Sequence, residues 1–535
     1  MSPTNNYDAL VVGAGFTGLY TVYKLRELGL KVCGVEAGDG VGGTWYWNRY
    51  PGARTDSQSY VYQYFFSKEI LNEWNWSERF PSQQETERYL NFVADKLDLK
   101  SHYKFGQQVT EARYSEEDQT WNIITADGMN LSASFLVMGS GGLTVPKNPE
   151  VDGIKDFDGE VIHTSRWPQE GLMTENKRVG VIGTGATGIQ VIQSIGKNVE
   201  SLTVFQRTAN YTIPMRNPKY DDKKRTELRK KYPDIKKQRN ETFAGFSFDF
   251  QEVPFKDLEP PARKKMMEKY WADGSLSFWI GQFPEIFFEE EANREVSNFV
   301  KQKIRTRIND PVLANKLIPN DHGFGTRRVP LENRYYEIFN QENVLLVDVN
   351  EEPLQSIEKN GIRTSKTFYK LDSLIFATGF DAGTGALTSI DLYGKDNRLL
   401  RDEWNDKGIS TFMGLQVHGY PNMFMVMAPM SPVAAFCNVP TCVEQSVDWI
   451  SDCIKHVRER GAKSVEPSLQ AEQEWVKHHD KVADETLVSK VDSWYTSANV
   501  PGKMRRVIPY CGGAHVYREH CDKVRKGGFS ECLIS

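Results

Sequence analysis

Two glycine turns of the same spacing constrain this chain of 535 residues more than any other feature. The first, Gly13, Gly15 and Gly18, follows the apolar run Tyr7–Val12, opens the segment Leu19–Gly29, and is followed by the strand-like run Lys31–Ala37. A strand that reverses sharply into a helix needs glycine at the turn, and a second glycine lets a pyrophosphate approach the backbone. The third allows close helix–strand packing. The free amides at the helix start then face the phosphates. Glu36 closes the second strand, where a carboxylate accepts hydrogen bonds from ribose hydroxyls. One glycine turn alone is weak evidence. Strand, glycines, helix, strand and terminal acid together predict a dinucleotide site.

The pattern recurs at the strand-like run Arg178–Ile182, the turn Gly183-Thr184-Gly185-Ala186-Thr187-Gly188, a helix, and the strand Ser201–Arg207. Here the closing acid is missing, and Gln206-Arg207-Thr208 stands in its place. A carboxylate there would repel a 2′-phosphate, whereas Arg207 can hold one by charge-assisted hydrogen bonds. The alternative is that Arg207 is a solvated strand end. The registration with the missing acid favours phosphate, so the first site reads as FAD and the second as NADPH. The fold class is α/β, with two Rossmann-like dinucleotide-binding domains. A disulfide reductase of similar plan would carry two nearby cysteines soon after the first unit. Residues 41–60 contain none, so the reduced flavin is expected to pass its electrons to oxygen.

Composition narrows the rest. The length exceeds what one ordinary core holds, and 39% hydrophobic with 12% aromatic residues is globular composition. A net charge of −5 argues against a general affinity for nucleic acid. The N-terminus carries no secretory pattern and no run is long enough to span a membrane, so the expected location is cytoplasmic. Cysteines 33, 437, 442, 453, 511, 521 and 532 form no CxxC pair and no metal-ligand spacing. They read as reduced thiols, with no metal implied. Cys532 begins a C-terminal tetrapeptide of prenylation form, but a single lipid chain anchors poorly and no modification is expected.

Between the two units, Phe157-x-Gly159-x-x-x-His163-x-x-x-Trp167-Pro168 resembles the signature of type I Baeyer–Villiger monooxygenases. Related flavin enzymes that oxidise nitrogen or sulfur usually carry another aromatic at the place of Trp167. Segments Gly42–Gly52, Val204–Pro214, Phe376–Ala382 and Asp492–Lys503 are also similar to the cyclohexanone monooxygenase group, in the family's order. The resemblance implies flavin-site roles for Gly13, Gly15, Gly18, Glu36, Thr44, Trp45, Asp56, Tyr62 and Val109. It implies NADP-site roles for Gly183, Thr184, Gly185, Ala186, Thr187, Gly188, Arg207 and Thr208, and a loop role over NADP for Trp494. In Gly325–Glu337 it makes Arg328 the catalytic arginine and Arg327 its neighbour on the nucleotide. This chain has Arg where Lys is common at 327, and Pro330 lies one place later than usual; the first change keeps charge but not geometry. His163 looks like a catalytic base, but the resemblance implies a hinge role.

The expected activity is insertion of oxygen beside a ketone carbonyl, with O2 and NADPH, through a flavin peroxide. Arg328 would keep that peroxide deprotonated and stabilise the oxyanion of the adduct, with Asp56 orienting it. N- or S-oxygenation is the alternative. The expected division is an FAD part at 1–143 and 381–535, an NADP part at 144–215 and 330–380, and a helical insertion at 216–329, in a monomer. Aromatic runs within the insertion, Thr242–Phe250 and Ser277–Glu291, are expected to be core. The resemblance implies that the loop Pro429–Pro440 lines part of the ketone pocket.

Overall fold

The computed structural model describes residues 5–433 and 436–535, so Ala434 and Ala435 of the Pro429–Pro440 loop lie outside the described residues. The strand Asn5–Val12 has Ala9, Leu10 and Val11 at no more than 1% exposure, the mark of a strand covered on both faces. It pairs in parallel with Val32–Val35 on one side and Asn130–Met138 on the other. Around it an eight-stranded sheet forms. Residues late in the chain return to it, since Met423–Met425 pairs with Leu136–Met138 and Asp391–Tyr393 with Glu111–Arg113. The helix Phe16–Glu27 lies against this sheet, and Val439–Glu459 packs on that helix, with Tyr20 donating to Asp448 at 2.8 Å.

A second, five-stranded sheet is wholly parallel, in the order Val344–Asp348, Ser201–Gln206, Arg178–Ile182, Ser373–Phe376, Glu160–His163. Its core gathers Phe157, Ile182, Phe205 and Phe376. Between its halves the chain makes a helical excursion. The excursion leaves after Ile213–Pro214 and returns at Leu331–Glu332, and these two short strands pair in parallel. The helix Asp222–Glu241 starts at Asp221, whose side chain accepts from the Lys224 amide at 2.7 Å. Near its end Arg239 is ion-paired with Glu444, both almost fully buried, and Glu444 also accepts from the Phe65 amide. That contact ties the excursion to the first sheet's helical cover. No helix among the described residues is long and apolar enough to cross a membrane.

Candidate active site

A cavity of about 1390 Å3 runs between the two sheets. One end is the first glycine turn. Gly13 has φ +102°, and a Cβ there would sit 2.5 Å from the Gly139 carbonyl oxygen. Gly18 lies beneath the turn rather than in the wall; its Cβ would come within 1.8 Å of the Gly13 carbonyl. The helix begins at Gly15 with no side-chain cap, so its first amides remain available to an anion. Glu36 is 5% exposed and accepts from the amides of Ala14 and Gly38, both at 2.7 Å. Burial pushes its carboxyl above the usual range, against those two amides. Thr44, Trp45, Tyr62 and Val109 line the same end, with the Trp45 indole donating to the Tyr62 hydroxyl at 3.2 Å.

The second turn forms the other end. Gly183 has φ +108°, and a Cβ on Gly188 would meet the Gly183 carbonyl at 2.1 Å, so both are fixed by the fold. Gly185 differs. It lines the cavity and a Cβ there would meet nothing within 4 Å, which leaves the space a pyrophosphate needs. Its helix, Ala186–Ile195, also lacks a side-chain cap. Thr184, Ala186 and Thr187 line the turn, and the Thr184 hydroxyl donates to the Thr208 carbonyl at 2.8 Å. Arg207 is exposed at the mouth, with no carboxylate partner among the described residues. Uncapped helix starts, a vacant glycine face and a cationic rim suit two phosphate-bearing nucleotides.

Between the ends Asp56 and Arg328 meet, although 272 residues separate them. Arg328 donates to Asp56 at 2.5 Å, and the other carboxylate oxygen accepts from the Leu331 amide at 3.2 Å. The Asp56 side chain is 5% exposed and that of Arg328 is 37% exposed. The guanidinium is therefore anchored at its back and open at its front. Burial disfavours both charges, pushing Asp56 up, while Asp56 holds the Arg328 guanidinium above its ordinary value. Arg327 is also in the wall and is ion-paired with Asp321 at 3.1 Å. Trp494 lines the cavity from the short helix Trp494–Thr496 and packs on Tyr495, with ring centroids 4.3 Å apart.

The motif residues lie behind the cavity wall. Phe157, His163 and Trp167 are buried, and a Cβ on Gly159 would strike the Asp372 carbonyl at 2.3 Å. His163 pairs with Phe376 at the end of the second sheet, and its Nδ1 bonds to the Ser165 hydroxyl at 2.7 Å. Burial holds its imidazole below the ordinary value, and Nε2 has no partner among the described residues. Such a histidine holds a strand end and a turn together. Pro168 follows that turn.

Two expectations are corrected. The seven cysteines are not all free: Cys437 and Cys442 are disulfide-bonded, with Cα atoms 6.3 Å apart. Cys437 lies two residues ahead of the helix beginning at Val439, and the first turn brings it beside Cys442, a proximity that CxxC spacing does not describe. The aromatic runs of the insertion are also not all core. Phe288 is exposed, whereas Phe278, Phe283 and Phe287 are buried in the interior; Phe246, Trp279 and Ile280, with the adjoining Leu276, are buried with that core and also border the cavity. Sequence reasoning also missed Arg166, which lines the cavity with its guanidinium 4.6 Å from the Trp47 ring, and Tyr50, whose hydroxyl donates to Gln190 at 2.9 Å.

Two glycine turns facing one cavity, each on its own Rossmann-like sheet, define a flavoprotein that works with a second dinucleotide. Residues 8–219 match the flavin-binding monooxygenase-like family. The chain is 47% identical to an acetone monooxygenase (methyl acetate-forming) of Gordonia sp. strain TY-5, over 99% of its length and all of that protein. It is 40% identical to a cyclohexanone 1,2-monooxygenase of Acinetobacter sp., over 97% of its length and 95% of that protein. Its fold superimposes on the crystal structure of OTEMO in complex with FAD and NADP with a TM-score of 0.95, at 39% identity, covering 99% of this chain and 100% of that one. The chain belongs to the Baeyer–Villiger monooxygenases.

Proposed function

We propose that the chain binds FAD at the Gly13–Gly18 turn and NADPH at the Gly183–Gly188 turn, and converts ketones to esters or lactones. The reaction consumes one ketone, one O2, one NADPH and one proton. One oxygen atom enters beside the carbonyl, and the other leaves as water. The observation that carries this reading is the Asp56–Arg328 pair, anchored on one side and open to the cavity between the two nucleotide sites. The residues fit both groups, since uncapped helix amides face each turn and Gly185 leaves its ligand side vacant.

Bound flavin supplies the electrons and the activated oxygen. Every other requirement falls on the chain. Glu36 holds the first glycine turn in shape through the Ala14 and Gly38 amides and, in the cavity wall, would accept from the ribose hydroxyls of the bound flavin nucleotide. Arg207 and Arg327 would supply cations for the 2′-phosphate, and Thr208 and Trp494, in the same cavity wall, would help to hold the nucleotide. Arg328 places a permanent positive charge where the carbonyl oxygen turns negative. A guanidinium keeps that charge at every working pH, and a preoriented group of this kind lowers such a barrier by about 3–4 kcal/mol. Asp56 orients it and offsets the cost of burying it. Phe246, Leu276, Trp279 and Ile280 give the ketone an apolar wall and keep water away.

We assign the flavin part to 1–143 and 381–535 because Met423–Met425 joins the first sheet, and the NADP part to 144–215 and 330–380 because Ser373–Phe376 joins the second. Residues 216–329 form the insertion. We place the protein in the cytoplasm as a monomer; gel filtration at 61.1 kDa tests the latter. Supplying a ketone and a sulfide in competition, with product identification, separates ester formation from heteroatom oxygenation. Sulfoxide as sole product would overturn the reading.

A further inference from the structure

The two cations assigned to the 2′-phosphate are held in different ways. Arg207 is exposed, with no carboxylate against it among the described residues. Arg327 has its Nη2 on Asp321 at 3.1 Å, its side chain 24% exposed, and its buried Nε has no partner among the described residues. The other oxygen of Asp321 meets His322 Nδ1 at 2.7 Å. The His322 side chain is 1% exposed and stands edge-on to Tyr211, ring centroids 5.3 Å apart. Tyr211 lies four residues beyond Arg207 on the same segment. Arg327 is thus tethered, through Asp321, His322 and Tyr211, to the stretch of chain that carries the other phosphate cation.

The backbone beneath is fixed as well. The Phe324 amide donates to the Ser297 hydroxyl at 2.9 Å, and the Asn293 side chain donates to the Phe324 carbonyl at 2.8 Å. The segment before Arg327 is therefore pinned to the helix Glu290–Arg305, and the ion pair with Asp321 is the one carboxylate contact of the Arg327 side chain among the described residues. Burial works against the charge on Asp321, but His322 and Arg327 hold its carboxyl down at about 2, so it is ionised at any working pH.

We propose that Asp321 is a positioning residue for nucleotide selection: it fixes the Arg327 guanidinium with spare donors facing the cavity, so that a 2′-phosphate meets a preoriented cation. The inference rests on the NADPH reading above and assigns a task to a residue that does not itself line the cavity. Without the carboxylate, binding must immobilise a free arginine side chain, a loss of roughly 3- to 10-fold in affinity for a 2′-phosphate.

The test is calorimetric titration of FAD-loaded enzyme with 2′,5′-ADP and with 5′-AMP, which differ by the 2′-phosphate alone. Asp321→Asn is expected to weaken 2′,5′-ADP by about 5-fold and 5′-AMP by less than about 2-fold, a loss of side-chain order that falls on the phosphate alone. Arg327→Ala should weaken 2′,5′-ADP further, and the double variant should match Arg327→Ala, since one residue acts through the other. Unchanged FAD content and melting temperature in Asp321→Asn exclude a general folding defect, and Asp321→Glu should recover part of the loss. Unchanged or tighter 2′,5′-ADP binding by Asp321→Asn overturns the proposal, because relief of repulsion between Asp321 and the phosphate would then outweigh positioning. Equal losses for both nucleotides, or additive effects in the double variant, overturn it too. If Arg327→Ala itself does not distinguish the two nucleotides, the phosphate role of Arg327 falls with the proposal. Ketone oxygenation by the wild-type enzyme is measured separately and stands or falls on its own.

Discussion

Replacing Arg328 by alanine removes the cation that Asp56 anchors between the two glycine turns of the cavity. Asp56 remains, 5% exposed and still bonded to the Leu331 amide, but it has lost its counter-charge. Two effects follow, and they are separable. The carboxylate can take up a proton, because burial already pushes it above its usual range, so the fold should survive. The oxygenation barrier should rise by about 3–4 kcal/mol, which is a several-hundred-fold slower step. Hydride transfer depends on how the nicotinamide meets the flavin, so reduction by NADPH should continue, perceptibly slower at most. The assay is stopped-flow reduction together with ester and hydrogen peroxide yields per NADPH consumed. Expected are a yellow protein that is still reduced, ester below detection, and hydrogen peroxide close to one per NADPH. Arg328→Lys should fail nearly as badly, since an ammonium cannot reproduce the planar fork that meets Asp56 and the cavity together. Well-coupled ester formation by Arg328→Ala would refute the reasoning and move the catalytic cation to Arg327.

Arg207→Ala should raise the KM for NADPH far more than that for NADH; equal rises would show that this exposed cation does not meet the 2′-phosphate. Gly185→Ala should keep the wild-type melting temperature yet bind NADP+ poorly, because its Cβ meets nothing in the fold and enters the ligand's space. Gly188→Ala should instead lose stability, by about 1–3 kcal/mol or more, since its Cβ would lie 2.1 Å from the Gly183 carbonyl. Thermal unfolding with a nucleotide titration separates the two. Glu444→Ala leaves Arg239 charged and buried without its partner, and should cost about 3–5 kcal/mol. The drop in melting temperature of the FAD-loaded enzyme measures it, and a shift within error would mean that water already serves Arg239.

How much of this could be read from the residues depends on what kind of constraint each one answers. Gly13 and Gly183 were legible because a positive φ beside a carbonyl leaves glycine as the residue of choice, whatever the rest of the chain does. Arg207 was legible as the replacement for an expected acid. Asp56 was different: its partner lies 272 residues away, and only the family resemblance brought the two together. Phe246 and Trp279 could not be told from core, because an aromatic side chain on a cavity wall is buried on nearly every side and sits in the same apolar pattern. Arg166 could not be found either, since its neighbour Trp47 is brought close only by the crossing between sheets. The Cys437–Cys442 pair hid for a simpler reason: a helical turn closes a gap of five residues that reads as unrelated in sequence.

The measurement that bears most directly on the central claim is the fate of labelled oxygen in the wild-type reaction. Purified, FAD-loaded enzyme is supplied with NADPH, 18O2 and a small ketone such as acetone or cyclopentanone, and the products are identified by mass spectrometry. The expected product is an ester or lactone carrying one 18O atom beside the carbonyl, formed in step with NADPH oxidation. Recovery of unchanged ketone while NADPH and oxygen are consumed to hydrogen peroxide, across linear, cyclic and aryl ketones alike, would contradict it.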